Sequence, residues 1–147
     1  RESYLERAFP EVDYIVHPSS AEAVAVRIAE ESEPEDMILV WGMESQLYAL
    51  SHRLYATQAP WPHIIANEDY VEMEIAWWIK EQQQKFMIML AAERPLFFIV
   101  VSNDANQLYP TPSDQMLDWV PGLSDYLKEN YDSAFTEGQL NVYRRRQ

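Results

Sequence analysis

Two short apolar runs set the hydrophobic pattern of the chain: Met37–Trp41 (MILVW) and Leu96–Val101 (LFFIVV). Neither alternates with polar residues, so each fits a strand buried on both faces. Ahead of the first, Ser19, Ser20, Ala21 and Glu22 spell a capping box, a hydroxyl at the cap with a carboxylate three residues on. The spacing predicts a helix over Ala21–Ser32, with Ala21, Val24, Ala25 and Ile28 inward and Pro34 as its stop. After Trp41, Gly42 permits a sharp turn, and a short helix over about Ser45–Ser51 turns Leu47 and Leu50 to one face, with Tyr48 beside them. Arg53–Thr57 reads as a short strand and Gln58–Ala66, with Pro60 and Pro62, as loop.

From Asn67, a good N-cap, to Glu93 no Gly or Pro intervenes. Val71, Ile75, Trp78, Ile79, Gln82, Phe86, Met89 and Leu90 follow helical spacing, while Lys80, Glu81, Gln83, Gln84 and Lys85 sit mainly on the wet side. One long helix or two consecutive ones are expected there. Past the second strand, Ser102–Asp118 is loop, with a helical turn at Ser113–Trp119 that Ser113 could cap. Gly122–Asn130 is a short helix. Tyr131–Thr136 and Gln139–Arg145 flank a hairpin turn at Glu137-Gly138. Strands separated by helices imply crossovers and parallel pairing. The expected fold is α/β: a small three-layer sandwich with a mostly parallel, Rossmann- or flavodoxin-like sheet, helices on both faces, and a C-terminal antiparallel hairpin. Residues 1–18 read as an irregular lead-in and 19–147 as one domain.

Composition narrows the function. The 147 residues are 48% hydrophobic and carry net charge −13, from 24 acidic against 11 basic side chains. That balance opposes nucleic-acid binding, which needs Lys and Arg against phosphates. It equally opposes docking on anionic lipid. The basic run Arg144-Arg145-Arg146 reads as a solvated strand end. Without Cys there is no disulfide, thiolate metal site or Cys nucleophile. No apolar stretch approaches the roughly 20 residues of a membrane span. The chain opens on Arg1 instead of Met, so it is expected to be a piece of a longer polypeptide.

Candidate chemistry gathers at the carboxyl ends of the two apolar strands, where α/β proteins place ligands. If the strands are parallel neighbours, Gly42, Glu44 and Gln46 share an edge with Asn103 and Asp104. With Arg53 they form a candidate crevice for a small polar ligand. The competing reading is ordinary βα loops, with Ser45 or Glu44 capping a helix and Asn103-Asp104 making a turn. No GxGxxG, GxxxxGK[ST] or GxSxG motif occurs. His17, His52 and His63 are scattered without metal-ligand spacing, and Glu72 and Glu74, two apart on a helix, do not face each other. No cofactor is called for. Of the pair Trp77-Trp78, one ring is expected in the core and one outside, where with Trp61 and Tyr70 it would mark a contact surface.

The succession VWGMESQLYALSHRLYAT (Val40–Thr57), a long helix ending in RP, LFFIVV, YLKENY (Tyr126–Tyr131) and QLNVYRR near the end resembles one family. It is similar to the soluble C-terminal domain of bacterial membrane glycosyltransferases of the dolichyl-phosphate-mannose protein mannosyltransferase kind (glycosyltransferase family 39 and relatives). There the segment often reads as a hydrophobic strand, G-x-E-P-Q-I-Y, a few residues, then R-x-x-A-T. Gly42, Glu44, Gln46, Leu47, Tyr48, Arg53, Ala56 and Thr57 match it, and Ser45 replaces the usual Pro. Pro18, Ser20, Glu22, Ala25 and Ile28 match the family's P-x-S-x-E-x-A-x-x-I helix. The likeness covers about Pro18–Arg146.

The resemblance implies an accessory domain on the extracytoplasmic side of a cell membrane. Its partner would be the membrane-embedded catalytic part of the same polypeptide, which uses a polyprenyl-phosphate-linked sugar; lipid-linked sugar or acceptor is a further partner it allows. The family's catalytic acids lie in a loop between early membrane helices, so no catalytic residue transfers to this chain. Glu44, Gln46, Tyr48 and Arg53 are then expected to fix the turn after the first strand, with Arg53 paired to a carboxylate. The alternative is a stand-alone flavodoxin-like domain for binding or signalling. A free hydrolase lacks a nucleophile motif or metal set.

Overall fold

A computed structural model of the chain describes residues 16–58, 65–66, 75–106 and 110–147. Helix α1 spans Pro18–Glu30. Strand β1 (Met37–Trp41), helix α2 (Gln46–Ser51) and the two-residue strand β2 (Leu54–Tyr55) follow. Helix α3 (Ala76–Glu93) leads into β3 (Phe97–Val101). A 3-10 turn (Gln115–Trp119) and helix α4 (Leu123–Asn130) precede the hairpin β4 (Tyr131–Glu137) and β5 (Leu140–Arg145).

The five strands form one sheet in the order β2-β1-β3-β5-β4. β1 pairs in parallel with β2 and β3, whereas β5 is antiparallel to both β3 and β4. The expected mostly parallel, Rossmann-like sheet is therefore corrected to a mixed one. The physical reason lies in the hairpin. The α4 crossover does bring β4 back parallel to β3, but β5 then folds into the gap between them and runs the other way. The hairpin loop is Gly138-Gln139, because Glu137 faces Leu140 in the register. That is one residue later than the pattern placed it.

Both faces of the sheet are covered, as the unalternated strands require. Ile38, Val40, Phe97, Ile99 and Val101 point to the side where α1 contributes Ala21, Val24, Ala25 and Ile28 and α2 contributes Leu47 and Tyr48. Leu39, Trp41, Phe98 and Val100 point to the other side, against Phe86 and Leu90 of α3 and Leu123 and Leu127 of α4. The inward stripe of α1 is as its spacing predicts. Its N-cap is His17, with Pro18 at the first helical position, in place of Ser19.

α2 and α3 turn differently from expectation. Leu50 is exposed, and Tyr48 and Ser51 join Leu47 inside. The rotation carries the Tyr48 hydroxyl to the Val40 N–H, which donates to it at 2.9 Å. β2 is too short to reach that group, so the phenol takes the place of a strand. On α3 only Ile79, Phe86 and Leu90 are buried. Trp77 is 67% exposed and Trp78 44%, with Ile75 and Ile88 exposed as well, so neither indole lies in the core. Gln83 turns inward, its amide donating to the carbonyls of Ile65 and Trp119. The expected cap at Asn67, Val71, Glu72, Glu74, His63, Trp61 and Tyr70 lie outside the described residues.

Candidate functional site

The parallel pairing sets Trp41 opposite Val100, so the chain leaves β1 and β3 at the same edge of the sheet. Gly42, Glu44, Gln46, Asn103 and Asp104 are brought to that edge. Arg53 is not. It precedes Leu54, which pairs with Met37 at the opposite end of β1. A strand rises about 3.3 Å per residue, so the four steps from Met37 to Trp41 put about 13 Å between the two ends.

Gly42 has φ 141°, and a Cβ placed on it would lie 2.3 Å from Val101 Cγ2 and 2.7 Å from Val101 Cβ. The first turn after β1 thus crosses β3 at a distance only glycine allows. Beside it, the Asp104 carboxylate is buried and fully engaged: Oδ1 accepts from the Ser113 backbone N–H at 2.7 Å and Oδ2 from the Ser113 hydroxyl at 2.6 Å. The Trp41 indole donates to the Ser113 carbonyl at 2.8 Å. Trp41, Ser113 and Asp104 form one node that ties the end of β1 to the segment entering the 3-10 turn. Ser113 was a candidate cap from its sequence; nothing in the pattern pointed to Asp104, nine residues away, as its partner.

Glu44 is half-buried at this edge, with the Gln46 amide donating to it. Burial raises its proton affinity above the usual carboxylate range; the Gln46 contact opposes this and the Asp104 charge adds to it. Asn103 is exposed at φ 54°. Asn106 donates to the Asp104 carbonyl at 3.2 Å. The edge therefore presents Glu44 and Asn103 outward, while Gly42 and Asp104 are committed to packing and turn closure.

Arg53 shows why its charge is inside. Its guanidinium donates to the Ser32 hydroxyl (2.9 Å) and to the carbonyls of Ser51 (3.1 Å), His52 (3.2 Å), Ala29 (3.1 Å) and Ser32 (2.8 Å). The carboxylate partner expected for it is replaced by these oxygens. The end of a helix leaves carbonyls unpaired and carries partial negative charge, which a planar five-donor cation satisfies without an acid.

The C-terminal arginines are partnered too. Arg144 meets Glu31 at 3.3 Å and Arg146 meets Asp132 at 2.8 Å, while Arg145 reaches the Arg94 carbonyl. Among the described residues, no group of three or more His, Asp or Glu side chains could hold a metal ion. No described helix is long and apolar enough to cross a membrane.

No protein-family model and no curated protein matches the chain. Among solved structures it is similar to the C-terminal globular domain of an oligosaccharyltransferase from Archaeoglobus fulgidus, at 8% identity and a TM-score of 0.49. That similarity covers 90% of this chain and 100% of the other, and nothing about this chain's chemistry follows from it.

Proposed function

We propose that this chain is an accessory, non-catalytic domain of an integral-membrane glycosyltransferase that draws on a polyprenyl-phosphate-linked sugar. It stands on the extracytoplasmic side, beside the membrane-embedded catalytic part of the same polypeptide. The observation that carries the reading is the matched segment Gly42–Thr57 together with what its residues do. Gly42 lets β1 turn against Val101, Tyr48 closes the Val40 N–H, and Arg53 ties α2 and β2 to the end of α1. Side chains spent on the fold suit a motif that marks a structural module.

The test is the reading frame upstream of the Arg1 codon. Several apolar segments of about 20 residues there support the proposal. A frame that opens close to Arg1 without them removes it. Turnover of a polyprenyl-phosphate sugar by the 147 residues alone would refute the non-catalytic part.

A second reading, a binding domain for a small polar ligand, is favoured by the geometry of the shared edge of β1 and β3, where a half-buried Glu44 stands with the exposed Asn103; the burial that raises the proton affinity of Glu44 agrees with it. Glu44, Gln46 and Asn103 would face the ligand in that crevice, Gly42 and Asp104 are spent on packing and turn closure behind them, and Arg53 drops out of it. Titration calorimetry against nucleotides, flavin and sugar phosphates gives heat if the reading holds and none if it fails.

A further inference from the structure

We infer that the outer face of α3 rests on a zwitterionic lipid surface, with Trp77 and Ile88 entering its interfacial layer. α3 is apolar on two sides. Ile79, Phe86 and Leu90 are buried toward the sheet. Trp77 and Ile88 stand on the opposite side, 67% and 70% exposed. At 3.6 residues per turn, the step from 77 to 88 is about three turns, so the two share a face about 16 Å apart. Glu81 and Gln84 lie between them on that stripe, Ala91 and Ala92 continue it, and all four are exposed. Trp78 is half-exposed on one shoulder. A helix that is apolar all round is ordinarily covered on both sides.

Side-chain chemistry and charge say what covers it. Among the described residues, neither the Trp77 nor the Trp78 indole N–H has a hydrogen-bond partner. A ring with an apolar body and a wet N–H suits the boundary between headgroups and acyl chains. Glu81, the one acid within the stripe, is closed by Lys85 at 2.7 Å. α3 sets Lys80 and Lys85 against Glu81 and Glu93, so it is neutral in a chain of net charge −13. Lys80 and Lys85 fall on opposite shoulders of the stripe, from which long side chains reach headgroup phosphates while the crest faces apolar chains. A second copy would bring −13 against −13, which opposes self-association. Anionic lipid is opposed in the same way. A neutral headgroup layer meets neither repulsion.

The inference agrees with a domain that stands beside a membrane and does not rest on that reading. The stripe is a property of α3. The frame upstream of the Arg1 codon can carry or lack membrane segments whichever way a lipid-binding assay falls, so the two fail separately.

The experiment floats the 147-residue chain with phosphatidylcholine vesicles and reads the ratio of bound to free protein. Wild type should float with the lipid. Trp77→Ala and Ile88→Glu should each lower the ratio about tenfold, the worth in partitioning of one apolar side chain taken out of water. Both side chains lie outside the core, so the urea midpoint should not move. Val26→Ser removes an exposed apolar side chain from α1, on the other face of the sheet, and should float as the wild type does. Added phosphatidylglycerol should weaken binding. Wild type that stays free at every lipid concentration overturns the inference, as do α3 variants that float like the wild type, an equal loss in Val26→Ser, or binding that needs the anionic lipid. A wild-type dimer in sedimentation equilibrium that Trp77→Ala abolishes overturns it too, because the stripe then belongs to a second copy.

Discussion

Replacing Gly42 by Ala adds one methyl group at the edge of the sheet and tests the packing of the whole β1–β3 exit. Two costs add. The first is conformational: φ 141° is a region that L-residues rarely enter, and holding one there costs about 1–3 kcal/mol. The second is steric. The new Cβ would sit 2.3 Å from Val101 Cγ2, and Val101 is wholly buried on a central strand. It cannot swing away, because β-branched side chains have little χ1 freedom. Overpacking of this kind costs about 1–3 kcal/mol.

Against these stands a gain of about 0.4–1 kcal/mol from stiffening the unfolded chain. The expected net loss is about 1–5.5 kcal/mol. For a domain near this size each kcal/mol lowers the melting temperature by about 2–4 °C. Urea unfolding with an unchanged slope gives the number directly. Val101→Ala removes the Cγ2 part of the clash but keeps the Val101 Cβ, 2.7 Å from the new methyl group. The double variant Gly42→Ala/Val101→Ala should therefore be more stable than the sum of the two single losses predicts, by a part of the steric cost of about 1–3 kcal/mol, while the Cβ contact and the backbone cost remain. A Gly42→Ala loss under about 1 kcal/mol would refute the close approach, and additive losses would refute the contact with Val101 Cγ2.

Three further substitutions read other parts of the same account. Tyr48→Phe should cost about 1–3 kcal/mol in urea unfolding, because it leaves the buried Val40 N–H without an acceptor; a loss near zero would mean that water reaches that group. Arg53→Lys keeps the charge but not the fork. It should cost about 2 kcal/mol or more by the same measurement, since three donors on one nitrogen cannot serve five acceptors spread over α1 and α2; a neutral outcome would make the guanidinium geometry irrelevant. Glu44→Gln should stabilise the fold at neutral pH. Burial raises the Glu44 proton affinity in the folded state above that of an ordinary glutamate, so well above the raised value the fold bears an ionised carboxylate it disfavours, while below the ordinary value the acid is neutral folded and unfolded alike. The advantage of Gln over Glu should therefore shrink as pH falls through the window just above 4.5; an advantage unchanged at pH 4 would refute the cause.

What the sequence disclosed follows from the range of each interaction. β1 and β3 were legible because strands buried on both faces must be apolar at every position, and MILVW and LFFIVV are. The stripe of α1 was legible because Val24 and Ile28 face one core while the other side of the helix is charged. α3 was not, because its outer face carries Trp77, Trp78 and Ile88. Apolar residues all round erase the contrast from which an inward side is read. The place of the hairpin was not legible either, since a two-strand pattern does not say which strand inserts beside β3.

At the candidate site, local chemistry was readable and its partners were not. Gly42 announces a turn, yet only the fold shows Val101 beneath it. Asp104 reads as a turn residue, and its contact with Ser113 closes a nine-residue separation that no periodicity encodes. Arg53 carries the sharpest form of the lesson. Its charge suggested an acid, because that is the partner sequence can display. Backbone carbonyls are present at every residue and thus invisible in composition. A helix end collects several of them at one point, and the guanidinium answers that local geometry, which exists only once α1 has formed and docked beside α2.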